Sequence, residues 1–488
     1  MPIDISLKLN ELEKLAEKYD TPYYLYDKEM IKKRAKEYMN TFKRYFSNFE
    51  QYYAVKALPN PSILKILKKC GMGFDCSSPE EIEIVQLMEF FHSKKSKIMY
   101  TSNYTSVGDL KKISKYNENI IVNLDSIDGF YNLLETNEPL PDTICFRYNP
   151  VNNDISADIV DGSARSLLLN VHKLSKKINT KNDKKNIENN IKSNIFSGND
   201  TKFGMTKKYL FEAYKLAKIH NIQKFGIHVM SQSNCIDINY WDNLIDDIFD
   251  VIYELYAILK IRIEFIDIGG GIGIAYKPDE QEINLELLVS KIRARFDFNI
   301  QKYNLYEPKL FTECGRYITG SYGWLISRCQ SIKQTDNGIF YGLDANMANL
   351  MRPGMYNAYH HITIPRLHHN DNDNDTIEGN VVGTLCENND WFCKQRELPN
   401  GIKKGDYFVI HDCGAHAYSM GFNYNSKLHC PELLYSKNGI LEIRKRENMD
   451  YHLQNTLIYN KFVNFCNIIS TLIIIIIIII FLFVLSFI

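Results

Sequence analysis

A lysine, Lys56, directly follows Tyr52–Val55, an apolar run with the composition of a short buried strand. The breakers Pro59, Asn60 and Pro61 then end this stretch. A long cation at the inner end of a buried strand costs free energy unless it has a partner or a chemical role. From this stretch alone two interpretations stay open: the side chain reaches past the strand to water, or its amine takes part in a reaction.

A second candidate site is a glycine run, Gly269–Gly271, with a further glycine at Gly273. It follows an apolar run, so its backbone N–H groups can approach an anion closely. The spacing does not fit the dinucleotide pattern GxGxxG, because the third glycine would fall on Ile274. A phosphate site and a tight turn without a ligand are both compatible with this stretch.

A lysine, a phosphate site and a carboxylate together indicate pyridoxal phosphate. Its aldehyde binds a lysine amine covalently, and an apolar, partly cationic pocket would lower the pKa of Lys56 for that role. Its pyridine nitrogen needs an acid partner, which Glu313 is predicted to supply. We further predict that His228 stacks on the ring and that Ser231 binds the phosphate.

The elements that must position these residues are strands. Apolar or β-branched runs recur along the chain with helical patterns between several of them. These runs are residues 51–57, 71–77, 96–102, 119–126, 142–150, 224–230, 261–271 and 308–316. Eight strands that alternate with helices predict an α/β fold, a parallel (β/α)8 TIM barrel.

Polar or glycine residues end six of the eight predicted strands. In a (β/α)8 barrel the active site lies at the face formed by the carboxyl ends of the strands. We therefore expect these residues to meet at one rim: Lys56, Asp75, Arg147, His228, Gly269–Gly271 and Glu313 with Arg316.

The pattern changes after the barrel. Short strand-like runs separated by turns predict an all-β C-terminal domain over residues 317–448. The barrel is predicted over residues 41–316, and residues 1–40, which begin with an amphipathic helix pattern, are predicted to pack on the β domain.

Two kinds of segment stand apart from this plan. Residues 173–200 are dominated by Lys and Asn and are predicted to be a disordered insertion, and residues 368–375 are a smaller example. The tail, residues 449–488, ends in 21 uncharged residues, 468–488, a length that can span a bilayer as a helix. The alternatives are a C-terminal membrane anchor and an isoleucine tract that reflects a nucleotide repeat or a misjudged gene end.

Composition narrows the partners and the compartment. Lys plus Arg and Asp plus Glu number 58 each, so no global field indicates nucleic acid. Eleven cysteines without CxxC pairs favour free thiols in a reducing, cytoplasmic compartment. His360–His361 and His368–His369 lack the spacing of metal ligands, so we expect loop histidines and no metal.

An ordered set of motifs resembles one family, the fold-type III pyridoxal-phosphate decarboxylases of basic amino acids, which include the diaminopimelate and ornithine decarboxylases. The set runs from about residue 20 to 446 and omits the insertion and the tail. The motifs are YYAVKA, GFDCSS, CFRYNP, TKFGM, FGIHVMSQS, DIGGGIGIAY, TECGR, DANMANLMRPGMY, GTLCENND and CGAHAYSMGFNYN.

The resemblance implies that the barrel is alanine-racemase-like, and it implies a role for each matching residue. Lys56 would hold the cofactor covalently, and Cys386 would be the second catalytic residue, a proton donor. The other implied cofactor contacts are His228, Ser231, Gly269, Gly270, Gly271, Glu313, Gly315, Arg316 and His416. The implied substrate contacts are Arg316, Arg352, Tyr356 and Glu387. In the family the last residues reach the neighbouring subunit's barrel, so the resemblance implies a homodimer with shared active sites.

Three positions depart from the family pattern. Met230 replaces a glycine beside the cofactor, Cys314 replaces a proline, and His416 stands where a tyrosine is common, with Tyr418 two residues later. These departures bear on which substrate the protein binds more than on which cofactor it uses.

The favoured expectation is decarboxylation of meso-diaminopimelate to L-lysine, since Arg352, Tyr356 and Glu387 suit a distal group with both charges. A decarboxylase for ornithine, arginine or carboxynorspermidine is the alternative. A racemase is disfavoured because Glu313 is a carboxylate where alanine-racemase-like sites have an arginine. A non-catalytic regulatory paralogue should have lost Lys56 or Cys386, and a membrane-tethered scaffold would rest on the tail alone.

Overall fold

The computed structural model describes residues 9–89, 95–116, 120–150, 202–336, 338–366 and 375–485. The predicted insertion 173–200 and residues 368–374 lie outside this part of the chain. The described chain begins with α1 (Leu9–Tyr19), β1 (Tyr23–Asp27) and α2 (Lys28–Tyr45). The Asp27 carboxylate caps α2 by accepting a hydrogen bond from the Met30 N–H at 2.9 Å.

A closed barrel of parallel strands follows, in the order β2 to β9. The strands are β2 (Glu50–Ala54), β3 (Gly73–Cys76), β4 (Ile98–Ser102), β5 (Ile120–Leu124), β6 (Thr143–Arg147), β7 (Lys224–His228), β8 (Ile263–Asp267) and β9 (Lys309–Thr312). Each lies within its predicted run except at the first residue of β2. The barrel prediction is confirmed.

Helices cover the outside of the barrel. They are α3 (Pro61–Lys69), α4 (Pro79–Glu89), α5 (Val107–Ser114), α6 (Ile127–Glu135), α7 (Lys207–Ile219), α8 (Tyr240–Leu259) and α9 (Leu285–Tyr303). Inside the barrel, a separate apolar cluster fills the interior, formed by Tyr52, Met99, Cys145, Phe265 and Phe311. Because this cluster closes the interior, a ligand has to bind at a rim of the barrel.

The second sheet has nine strands and contains β1. After the short α10 (Arg316–Thr319), its other strands are β10 (Gly323–Thr335), β11 (Gly338–Leu343), β12 (Ile362–Thr363), β13 (Thr376–Val382), β14 (Trp391–Pro399), β15 (Tyr407–Ile410), β16 (Glu432–Ser436) and β17 (Gly439–Arg444), with α11 (Arg352–Tyr356) between β11 and β12. The main path is β14-β13-β11-β10-β1-β16-β17, and β15 pairs with β10 and β12. The predicted all-β domain is confirmed.

The N-terminal segment does more than pack on this sheet. β1 pairs antiparallel with β10 and parallel with β16, so the amino-terminal strand lies between two strands from the far end of the chain. Sequence patterns did not identify β1, β14 or β16 as strands. The domain boundaries at residues 40, 316 and 448 stay predictions.

A buried carboxylate, Glu432, joins the barrel to this sheet. It accepts hydrogen bonds from the Tyr26 hydroxyl at 2.8 Å and from the Asn60 amide at 2.9 Å, and it pairs with Arg444. Asn60 precedes α3 of the barrel, whereas Tyr26 and Arg444 belong to the sheet. The loop that follows Lys56 is therefore fixed to the second domain.

The chain continues with α12 (Met449–Leu453) and a long apolar helix, α13 (Leu457–Leu485). Within the described residues, Leu457–Ile477 form the one stretch that is long and apolar enough to cross a membrane, and this stretch is not buried against the rest of the protein.

Candidate active site

Lys56 lies on a short 3-10 turn, Val55–Ala57, directly after β2. Its amine is 3.3 Å from the buried Asp75 carboxylate on β3 and 3.3 Å from the Ser77 hydroxyl, and 48% of the side chain is exposed. The turn can approach β9 because Gly315 has no side chain. A Cβ at Gly315 would lie 2.6 Å from the Ala57 Cβ.

The electrostatic surroundings of Lys56 differ from the expected cationic pocket. Burial would lower the pKa of the amine, but the carboxylates of Asp75 and Glu313 outweigh burial and raise this pKa above its ordinary value. The expectation of a lowered pKa was wrong, because acidic groups from other strands face the amine. In turn, burial and Glu313 raise the pKa of Asp75 to about 7.

Glu313 is buried after β9 and is already oriented. One of its oxygens lies 3.1 Å from His228 Nε2, and the other accepts a hydrogen bond from the Thr101 hydroxyl at 3.1 Å. Burial alone would raise the pKa of this carboxyl, but His228, Lys56 and Arg147 lower it to about 2. Burial lowers the pKa of His228. The pair is therefore an ionised carboxylate and a neutral imidazole whose Nε2–H donates to it.

Three buried polar atoms at this rim have no hydrogen-bond partner among the described residues. They are Asp75 Oδ1, His228 Nδ1 and Asp267 Oδ2. A buried polar atom without a partner costs roughly 1–3 kcal/mol, so three in one place indicate a bound polar group that supplies partners. His228, Asp267 and Glu313 also bring ligand atoms within 4.8 Å of one another, a spacing that can hold a metal ion.

The glycine run lies between the loop after β7 and Glu313. Gly269 and Gly271 have φ values of 67° and 84°, in the left-handed region that favours glycine. The Gly269 carbonyl accepts a hydrogen bond from the Glu313 N–H at 2.7 Å. A Cβ at Gly269 would lie 2.6 Å from the Val229 carbonyl oxygen and 3.0 Å from Met230 Sδ. Met230 therefore packs against the run and narrows the space beside it.

Two arginines flank one tyrosine, Tyr276. Arg316 donates to the Tyr276 hydroxyl at 2.6 Å and to the Ser233 hydroxyl at 3.2 Å. Arg352 is buried and places its guanidinium carbon 4.7 Å from the centroid of the same ring. Burial, and then the charges of Arg316, Arg352 and Lys56, lower the pKa of His416 well below its ordinary range. A neutral histidine thus faces three cations.

His416 also ties the β domain to the lysine turn. Its backbone N–H donates to the Ala57 carbonyl at 2.9 Å, and its φ of 54° lies in the left-handed region.

Cys314, which stands where the family has a proline, donates its backbone N–H to Gln51 Oε1 at 3.3 Å, and a proline has no N–H to donate. Ser231 bonds to the Tyr240 hydroxyl.

The structure does not bring all predicted residues together. Cys386, Glu387 and Tyr356 are exposed, and within the described residues no hydrogen bond or ion pair joins them to Lys56 or Glu313. Cys386 follows β13 in a loop, where its N–H donates to Asn425 Oδ1 at 2.8 Å.

Sequence reasoning also gave no role to several residues at the site. Asp75 and Arg147 were placed at the rim but not assigned, although Arg147 is buried and donates to the Met230 carbonyl at 3.0 Å. Tyr276 is the last residue of the motif DIGGGIGIAY, and its place in this motif is the sequence feature that could have identified it as a site residue. His360 lies in the loop between α11 and β12, as expected, but sequence reasoning gave it no role: it is fully buried and accepts a hydrogen bond from Arg352.

Several curated relatives match most of the chain. The protein TabA of Pseudomonas amygdali pv. tabaci is 34% identical over 445 residues, which are 90% of this chain and 92% of TabA. A diaminopimelate decarboxylase of Methanothermobacter thermautotrophicus is 29% identical over 435 residues, 89% of this chain and 91% of the relative.

Solved structures show the same architecture. A diaminopimelate decarboxylase from M. jannaschii superposes with a TM-score of 0.74 at 29% identity and covers 91% of this chain and 94% of its own. The Helicobacter pylori enzyme complexed with L-lysine has a TM-score of 0.70 at 25% identity, with coverage of 91% and 98%.

The packing of Gly315 leads to a prediction about the lysine turn. Gly315→Ala should lower the free energy of unfolding by about 2 kcal/mol, the usual cost of overpacking, and should reduce the visible absorbance of bound pyridoxal phosphate because the turn of Lys56 is displaced. The matched control is Gly108→Ala, where an added Cβ meets nothing closer than 3.7 Å. Full cofactor absorbance in Gly315→Ala would contradict the account of the turn.

The rim fits pyridoxal phosphate on its own geometry. Lys56 presents a half-exposed amine, an ionised Glu313 lies beside neutral His228, and the glycine run opens next to buried polar atoms without partners. The family described as pyridoxal-dependent decarboxylase, pyridoxal binding domain, matches residues 29–320, which include the whole barrel. The chain therefore belongs to the pyridoxal-dependent decarboxylases, carboxy-lyases that use pyridoxal phosphate as their cofactor.

Proposed function

We propose that this decarboxylase converts meso-diaminopimelate to L-lysine. The observation that carries the proposal is the pair of guanidinium groups around Tyr276. The guanidinium carbon lies 5.7 Å from the centroid of the Tyr276 ring for Arg316 and 4.7 Å for Arg352. One arginine is enough to assist the glycine run with the cofactor's phosphate. A second arginine, buried beside it, favours a substrate with another carboxylate. Relatives named as diaminopimelate decarboxylases, which match about nine-tenths of this chain, support the proposal.

The residues of the rim then have separate tasks. Bound pyridoxal phosphate supplies a ring that accepts the electron pair released when the substrate's carboxylate leaves as carbon dioxide. Lys56 provides the amine that holds the cofactor. Glu313 is assigned to the pyridine nitrogen, where its ionised oxygen keeps a proton in place, and His228 to the face of the ring. This assignment uses the same carboxylate and imidazole that are spaced for a metal, so we assign no metal.

The anionic groups are assigned to the cationic side of the site. Gly269–Gly271 and Ser231 are placed against the phosphate, with Gly315, Arg316 and His416 next to it. Arg352 and Tyr356 are placed against the distal carboxylate. A neutral His416 can donate one hydrogen bond there without adding charge. The side chain of Met230 reduces the room beside the glycine run, which favours an extended, unbranched substrate.

We propose that active sites are shared across a homodimer. Cys386 and Glu387 lie in an exposed loop, and among the described residues no hydrogen bond or ion pair joins them to Lys56 of their own subunit. In the proposed dimer this loop reaches the partner's barrel, where Cys386 Sγ gives a proton to the carbon that has lost carbon dioxide and Glu387 meets the distal ammonium. A thiol suits this task because its pKa can be set near the working pH.

A substrate panel tests the proposed reaction. We expect carbon dioxide release from meso-diaminopimelate with a kcat/KM at least about a hundredfold above that for lysine, ornithine, arginine or carboxynorspermidine, because a site built to bind a carboxylate rejects analogues without it. Carbon dioxide release under saturating cofactor is the measurement. A preference for one of the other four compounds would overturn diaminopimelate as the substrate and leave the decarboxylase assignment intact.

Mixed dimers test the shared site. Lys56→Ala and Cys386→Ala should each be inactive or nearly so, yet co-expression should restore about a quarter of wild-type turnover, because half of the dimers then contain one intact site. The control is Cys430→Ala, since Cys430 is a buried thiol of the same domain that has no assigned role. Loss of Cys386 without loss of turnover, or no restoration in mixtures of folded dimers, would contradict the proposal.

We also propose that α13 anchors the enzyme in a bilayer. Its 29 residues extend over about 43 Å at 1.5 Å per residue, which exceeds the roughly 30 Å hydrocarbon thickness, and Lys461 is its one charged residue. Exposing such a helix to water is unfavourable by the hydrophobic effect.

Membrane fractionation tests this anchor. The full chain should sediment with membranes, resist a high-salt wash and be released by detergent. A variant that ends at Thr456 should stay in the supernatant with unchanged kcat/KM, because the described site contains no residue of α13. Recovery of the full chain as a dispersed dimer in the supernatant would refute the anchor.

A further inference from the structure

A fully buried histidine, His360, stands directly behind Arg352. His360 Nε2 lies 2.8 Å from Arg352 Nη1, and His360 Nδ1 lies 2.7 Å from the carbonyl oxygen of His411. No part of the His360 surface is exposed, and Arg352 is 7% exposed. The histidine precedes β12 and the carbonyl follows β15, so two paired strands of the β domain fix its position.

The two partners determine which nitrogen of His360 carries the proton. A carbonyl oxygen can only accept, so Nδ1 must donate to His411. A guanidinium can only donate, so Nε2 must present its lone pair to Arg352. A single neutral tautomer satisfies both bonds, and a protonated ring would set a second donor against the guanidinium. Burial and the charge of Arg352 lower the pKa of His360 well below its ordinary range, in agreement with this arrangement.

Tyr276 completes the support on the other side. Its ring meets the His360 ring edge-on, with centroids 5.2 Å apart, and the Arg352 guanidinium carbon lies 4.7 Å from the Tyr276 centroid. The arginine is thus held by a hydrogen bond at one nitrogen and by an aromatic face. A long side chain otherwise loses considerable rotamer entropy when it binds a ligand, and a fixed one has already lost it.

We propose that His360 is a positioning residue for Arg352: as a neutral acceptor it holds the guanidinium in the orientation that reads the substrate's distal carboxylate. This inference rests on the proposed function, because it takes the carboxylate of diaminopimelate as the group that Arg352 meets. His360 itself touches neither the substrate nor the cofactor. Its contribution should therefore appear in binding of the distal carboxylate and not in the chemical step.

Two substitutions separate the acceptor from the rest of the histidine. In His360→Asn the amide can still donate to the His411 carbonyl, but no atom reaches the position of Nε2. In His360→Gln an amide oxygen reaches that position and can accept from Arg352. We expect His360→Asn to raise KM for meso-diaminopimelate about tenfold or more with kcat within about threefold, and His360→Gln to stay within about threefold of wild type in both constants.

Two inhibitors give a readout that general damage would not reproduce. L-lysine keeps the distal carboxylate and 1,5-diaminopentane lacks it. In His360→Asn the inhibition constant of L-lysine should rise with KM, whereas that of 1,5-diaminopentane should stay within about twofold. In an Arg352→Ala background, His360→Asn should change KM by less than about twofold, because the residue acts through the arginine.

The outcomes are distinguishable. If the wild-type enzyme does not decarboxylate meso-diaminopimelate, the proposed function fails. If it does, the inference about His360 is overturned by an unchanged KM in His360→Asn, by equal weakening of both inhibitors, or by a His360→Gln variant as impaired as His360→Asn. Visible absorbance of the bound cofactor in each variant confirms that the site is assembled.

Discussion

The site depends on one buried ion cluster. Glu313 stays ionised after β9 because His228 and Thr101 donate hydrogen bonds to it. The positive charges of Lys56 and Arg147 also lower its pKa. A buried carboxylate without such partners would take up a proton. In the proposed assignment, the ionised state would let Glu313 hold a proton on the pyridine nitrogen, so these neighbours would set the electron-accepting capacity of the cofactor.

Close backbone packing places the cluster where a cofactor can use it. Gly315 lets the Lys56 turn approach β9, and Gly269 lets the glycine run pass beside the Val229 carbonyl. The second domain adds its own restraint, since the His416 N–H binds the Ala57 carbonyl within the lysine turn. The barrel thus supplies most of the groups that we assign to the cofactor, and the β domain supplies Arg352 and His360 on the side that we assign to the substrate.

Sequence patterns predicted the barrel well because each strand is a local apolar run, and six of the eight predicted strands end at polar or glycine residues. The same locality explains the failures. β1 is short, and its partners β10 and β16 lie some three hundred or more residues away, so no nearby pattern marked it. The pKa of Lys56 was expected to fall. It rises because Asp75, which belongs to another strand, lies close to the amine, and the sequence around Lys56 does not show this tertiary contact. The contact between His360 and Arg352 was also missed, because the spacing of histidines tests for metal ligands and gives no signal for a buried hydrogen-bond acceptor.

Chemical labelling tests most directly whether Lys56 holds the cofactor. The purified enzyme with pyridoxal phosphate is reduced with borohydride, which makes the bond between the cofactor and its lysine permanent, and the digested peptides are mapped by mass spectrometry. We expect the adduct on the peptide that contains Lys56, with none in Lys56→Ala. An adduct on another lysine, or none in the wild-type enzyme, would contradict this expectation.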